Sequence, residues 1–176
     1  MTNLKKNKPS GTKINESLSI GHFYNIECYD SKGNLKWNDD FENIVVTTGR
    51  NHYLDVTLKT GTASPFWYVG LKNSTIAVAE DTISNKGFVE ITAYTNTTRP
   101  LFVVGTILEG SVDNSFSKAE FIINESTVVG GAFLVNQNTK GGTTGILLGA
   151  GEFNINRTVI AGDTIKVTIT CSITSL

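Results

Sequence analysis

The sequence predicts a mainly β protein, an antiparallel β-sandwich of the jelly-roll or Ig-like kind with one short helix and an extended N-terminal arm. Three observations carry this prediction. Apolar and polar residues alternate with period two along much of the chain, most clearly at residues 22–29 and 164–173. Clusters of Gly, Asn and Asp punctuate these runs at the short intervals expected of turns. Only residues 48–58 have the spacing of a helix, so strands alternate with turns, which speaks against a parallel α/β sheet.

The arm is residues 1–19, and the sandwich is a single domain over residues 20–176. The arm is polar, carries Lys5, Lys6, Lys8 and Lys13, and has little to bury. In the first strand His22, Tyr24, Ile26 and Cys28 share one face, and Phe23, Asn25, Glu27 and Tyr29 share the other. Asp30 opens a turn in which Gly33 takes the left-handed position. The return strand starts at Leu35, is interrupted at residues 38–40 and resumes at residues 41–46. The helix follows, capped by Thr48, with Tyr53, Leu54 and Leu58 on its apolar face. Residues 66–71 are densely apolar and read as a central strand, and loops are expected over residues 76–86.

Further strands are expected at residues 88–94, 101–108, 115–124 and 128–135. In the last of these, Gly130 and Gly131 mark a bulge or a close backbone approach. A Gly- and Asn-rich loop at residues 136–144 leads to a strand at residues 146–153, and a turn at residues 161–163 leads to the final strand.

The chemistry in the sequence is sparse. Net charge is −1, so no basic face is expected and no nucleic-acid partner. No apolar run is long enough to cross a bilayer, and no apolar segment follows the basic start, so neither a membrane span nor a signal peptide is expected. Cys28 and Cys171 lie in β-like runs and read as free core residues rather than a disulfide. With His22 and His52 they do not form a zinc spacing, and no cofactor or metal is expected. Five Asn-x-Ser/Thr triplets, at Asn15, Asn73, Asn96, Asn124 and Asn156, read as a product of composition.

His52 and Asp55 would neighbour each other on the helix, but the Gly-x-Ser-x-Gly pattern of a nucleophile elbow is absent. The pair reads as helix-surface polarity, and no enzymatic activity is expected. Asp39, Asp40 and Glu42 form an acidic cluster without calcium-loop spacing, and read as charge that keeps an edge soluble. Gly141, Gly142, Gly149 and Gly151 are turn glycines, since no Gly-Lys-Ser/Thr completes a phosphate loop. Trp67 and Tyr68 lie in an apolar run and read as largely core. Trp37, flanked by Lys36 and Asn38, is the better candidate for an exposed contact.

A set of short segments taken together resembles a family of small virion proteins of tailed bacteriophages. It comprises the opening at residues 27–49 and the helix start at residues 51–55. It continues with Trp-Tyr-Val-Gly-Leu at 67–71, Thr-Arg-Pro at 98–100 and Ser-Val-Asp-Asn-Ser at 111–115. Gly-Gly-Ala-Phe-Leu-Val at 130–135, Thr-Lys-Gly-Gly-Thr-Thr-Gly at 139–145 and Ala-Gly-Asp-Thr at 161–164 complete it. The likeness spans residues of about 22 to 174 and leaves the arm outside. It implies a virion structural protein, made in the host cytoplasm and released by lysis, with no catalytic residues to carry over.

Within that class the first expectation is an auxiliary capsid protein that coats and reinforces the major capsid shell. Its partners would be the major capsid protein and neighbouring copies of itself, with Lys5, Lys6, Lys8, Lys13 and Trp37 as candidate contacts. The alternative is a tail, baseplate or head-fibre component, one that would contact host glycans. A third reading is a sugar-binding or hydrolytic β-sandwich unrelated to virions.

Overall fold

A computed structural model describes residues 17–175. The chain order is β1 (Leu18–Tyr29), β2 (Leu35–Glu42), β3 (Ile44–Val45), α1 (Thr47–Leu58), β4 (Tyr68–Lys72), β5 (Glu90–Ile91), β6 (Ser111–Asp113), β7 (Ala119–Ile122), β8 (Thr127–Val135), β9 (Leu147–Val159) and β10 (Thr164–Ser175). Two five-stranded antiparallel sheets result. One runs β2-β1-β10-β6, with β7 also paired to β10, and the other runs β3-β9-β8-β4-β5. The fold is the expected β-sandwich with one short helix.

The alternation seen in the sequence is the inner face of the first sheet. His22, Tyr24, Ile26 and Cys28 are buried, and Ile165, Val167 and Ile169 face the same core from β10. From the second sheet Val69, Leu71, Ala132, Leu134 and Phe153 close that core. The second sheet is covered on its other face as well. Ala77, Ile83 and Phe88 come down from the segment between β4 and β5 onto Phe133, Val135, Leu147 and Ala150. Every residue from Val129 to Val135 is therefore buried, which is why β8 reads as a continuous apolar run and not as an alternation.

The glycines of β8 serve both purposes foreseen for them. The register shifts between Val129 and Gly131, a bulge. A side chain at Gly130 would run into the backbone at Ser74, and one at Gly131 into the Gly151 carbonyl oxygen.

Several expectations need correction. The arm yields its last two residues to β1, where Leu18 and Ser19 pair with Ser175 and Thr174. β2 is unbroken through residues 38–40, because Asn38 and Asp40 point outward while half-buried Asp39 meets Arg157. The helix begins at Val46 without a side-chain cap, and the Thr48 hydroxyl instead donates to the Leu147 carbonyl at 2.9 Å. Leu54 and Leu58 are exposed; Gly49, packed on the Leu148 backbone, is the buried contact of the helix. The strand expected at residues 88–94 shrinks to β5, and residues 101–108 form no strand beyond single bridges at Leu101 and Leu108. The intervening chain bends there to bring Arg99 into the interior, where it is 1% exposed.

Candidate interaction surface

Two surface features stand out from the fold. The first is the loop of residues 136–146, which a buried ion pair holds from beneath. Arg99 meets Glu90 through two bonds, Nε to Oε1 at 2.9 Å and Nη2 to Oε2 at 2.6 Å. The Arg99 guanidinium also donates to the carbonyls of Gln137 and Gly142, both at 2.9 Å, and its backbone N–H donates to Asn138 O at 2.8 Å. Glu90 in turn accepts from Gly141 N at 3.2 Å. The Lys140 ammonium donates to the carbonyls of Tyr94 and Asn96, both at 2.8 Å. With its donors used in this planar fork, the guanidinium is satisfied despite full burial. The result is a surface loop with a fixed backbone.

The second feature is the rim of the first sheet beyond β6. Leu108 and Ser111 exchange both backbone bonds at 2.9 Å, with Glu109 at φ 48° and Gly110 at φ 74° between them. This is a two-residue hairpin turn with both central residues left-handed, the twist that suits antiparallel strands. Its arm lies along β6 through Gly105 N–H to Asp113 O at 2.8 Å. Val104, Ile107, Leu108 and Phe116 stand out from this rim at 50%, 73%, 70% and 70% exposure. Glu109 and Asp113 are the only charged residues between 101 and 117. Exposed apolar side chains at a sheet edge with few charges mark an interaction site more often than chance exposure does.

The residues singled out in the sequence are scattered. Lys5, Lys6, Lys8 and Lys13 lie outside the described residues. Trp37 is half-buried rather than a free contact: its ring sits edge-on to Phe153 at 5.7 Å and under the Arg157 guanidinium at 5.5 Å. Polar neighbours in sequence alternate away from it on β2, which the period of a strand explains.

Trp67 is also half-buried, packed on the core with its ring edge-on to His52 at 5.5 Å. His52 and Asp55 line an open depression of about 560 Å³ beside the helix, with Asn51, Lys59 and Thr82. Asp55 pairs there with Lys59 at 3.7 Å rather than with His52. No metal-ligand cluster occurs among the described residues. No helix there is long and apolar enough to cross a membrane. Cys28 and Cys171 are free. They face Ile165 and His22 respectively, far apart along the same strand pair, and burial pushes their thiols up to about 11 and about 12.

Sequence reasoning missed three buried polar centres. His22 is held by Asn43 at Nδ1, 3.0 Å, and by the Tyr53 hydroxyl at Nε2, 3.1 Å. Lys72, fully buried, reaches Glu152 at 2.7 Å. Arg99 is the third. Only the Thr-Arg-Pro segment offered a signal, an arginine held just before a proline inside an uncharged stretch. No protein-family model matches the chain, and comparison with curated proteins finds no match.

Proposed function

We propose that this chain is a virion structural protein of a tailed bacteriophage, an auxiliary capsid subunit that binds and reinforces the major capsid shell without catalysing a reaction. One observation supports this reading above the others: the sparsely charged rim at residues 101–116, which presents Val104, Ile107, Leu108 and Phe116 to solvent. A subunit that must be soluble alone and bury area on assembly needs such a rim, small in extent and kept from self-pairing by the tight hairpin twist. The segmental likeness to phage virion proteins points the same way. In this reading the buried ion pairs and His22 maintain the scaffold.

The test is to incubate the purified protein with shells assembled from the major capsid protein of the phage that encodes it, and to image them. The expected result is regular extra density at fixed capsomer positions. Occupancy should fall at least about tenfold, or roughly 1.4 kcal/mol, when Ile107→Asp and Leu108→Asp are combined. Both side chains are exposed, so the variant keeps its fold. Bare shells with the unaltered protein, or full occupancy by the variant, would refute the assignment.

A further inference from the structure

We propose that the cleft between Phe66, Tyr68 and residues 136–138 is a binding site for an uncharged carbohydrate. It is separate from the apolar rim, so it adds a ligand to the function above and does not depend on it.

The cleft has a volume of about 350 Å³, at the lower end of the range for small-molecule sites of about 300–1,000 Å³. No charged side chain lines it. The larger depression beside the helix, by contrast, carries Asp55 and Lys59. Phe66 is 56% exposed although it sits in the most apolar run of the chain, and it lines the cleft. Tyr68 is half-buried and is the second aromatic residue of the lining. Opposite the rings stand Asn136, Gln137 and Asn138. The Asn136 side chain is committed to the loop, accepting from Ile146 N at 2.6 Å. Gln137 and Asn138 are exposed, and none of the hydrogen bonds among the described residues uses their amides.

This combination has a definite chemistry. A sugar ring is amphipathic: its axial C–H groups form an apolar face that packs on an aromatic ring, and its rim carries hydroxyls that both donate and accept. A carboxamide also donates and accepts, so it pairs with a hydroxyl pair without needing a charge. Aromatic rings with a polar edge supply large contact area at low entropic cost. A charged ligand finds no counter-ion here, and a purely apolar one would strand the amides.

The loop is prepared for this work. The Gln137 and Asn138 carbonyls are two of the three that accept from Arg99, at 2.9 and 2.8 Å. Their side chains are therefore free while their backbone is held by a buried ion pair. Fixing a loop before the ligand arrives removes the ordering cost from binding.

The experiment titrates the isotope-labelled full-length chain with three neutral trisaccharides, maltotriose, chitotriose and mannotriose. Sialyllactose serves as the charged comparison, and binding is read from backbone amide NMR shifts. At least one neutral probe should shift the amides of residues 64–68 and 136–138 at millimolar concentration, and the affinity should not change with added salt. Phe66→Ala and Gln137→Ala should each weaken that probe about tenfold or more, while His52→Ala, in the other depression, leaves it unchanged. All three positions are at least half-exposed or line open clefts, and unaltered spectra elsewhere establish the fold. The proposal is overturned if no neutral probe shifts these amides, or if the shifts map to the helix-side depression. Affinity that survives both substitutions, or salt-sensitive preference for sialyllactose, overturns it too. Failure of this test leaves capsid binding through residues 101–116 untouched, because the two surfaces share no residue.

Discussion

His22 is a buried, neutral imidazole. Asn43 donates to its Nδ1 and its Nε2–H donates to the Tyr53 hydroxyl, an arrangement that assigns the tautomer from the bonds it makes. A second proton would have to displace the Asn43 donor, and burial alone pushes the group down to about 4. The unfolded chain takes up that proton near pH 6.5. Stability from the neutral form is therefore complete above pH 6.5 and is lost as pH falls from there toward 4. The loss amounts to about 3 kcal/mol at full extent. The carboxylates with lowered values, Glu27, Asp30 and Asp113, lose their contribution only at lower pH, below about 4.5. Urea unfolding followed between pH 7 and pH 5 should show the decline, and His22→Gln should flatten it; an equal slope in the variant would place the proton elsewhere. Arg99 behaves differently, because its charge is permanent. Arg99→Met leaves Glu90 buried without its partner, and should cost about 3–5 kcal/mol. Adding Glu90→Gln should restore part of that loss in the same unfolding measurement.

At the scale of elements, β8 is the strand on which the second sheet depends. Lys72, Gly131 and Glu152 lie side by side across β4, β8 and β9, and Lys72 and Glu152 bridge the glycine with a 2.7 Å ion pair. Gly131→Ala would drive a methyl group into the Gly151 carbonyl, against backbone that cannot rotate away. It should cost about 1–3 kcal/mol. Gly21→Ala, whose nearest neighbour would be Ser172 Oγ at 3.8 Å, should stay within about 0.5 kcal/mol. If the two variants melt alike, the close approach at β8 carries no energy.

The long strands were legible because each alternates or runs apolar over at least eight residues: β1, β8 and β10 were all read in place. Two of the shorter strands expected were not. Residues 88–94 and 101–108 have strand composition, yet Arg99 between them is drawn inward to Glu90, and a long-range ion pair leaves no local pattern. The exposed rim, and the ion pair that anchors the loop of residues 136–146, were hidden for the same reason. Their character comes from what is packed beneath them, and Trp37 was misread because a strand turns every second side chain away from its neighbours.

At the scale of the whole molecule, the sandwich has two cores of unequal size. The larger lies between the sheets, and the smaller lies under the segment that joins β4 to β5. Their buried apolar side chains all lie between Tyr24 and Ile169, with buried His22 and half-buried Cys171 at the margin. β1 begins at Leu18, and its first residues are held by β10 through five cross-strand pairs before β2 joins at Phe23. A chain that starts at Ser17 keeps every residue of both described cores and all of β1, and should melt within a degree or two of the full chain. Removing residues 1–19, by contrast, takes Leu18 and Ser19 out of β1 and should fray the end of β10 that carries Ile173. The two truncations separate folding from assembly. Added to bare shells, the chain that starts at Ser17 tests whether Lys5, Lys6, Lys8 and Lys13 belong to the contact, since exposed ion pairs contribute only about 0–1 kcal/mol each. If the rim at residues 101–116 is the main contact, the shorter chain should bind with affinity reduced less than about tenfold and with weaker salt dependence. Loss of all binding on removal of residues 1–16, with the fold intact, would move the principal contact from the rim to the arm.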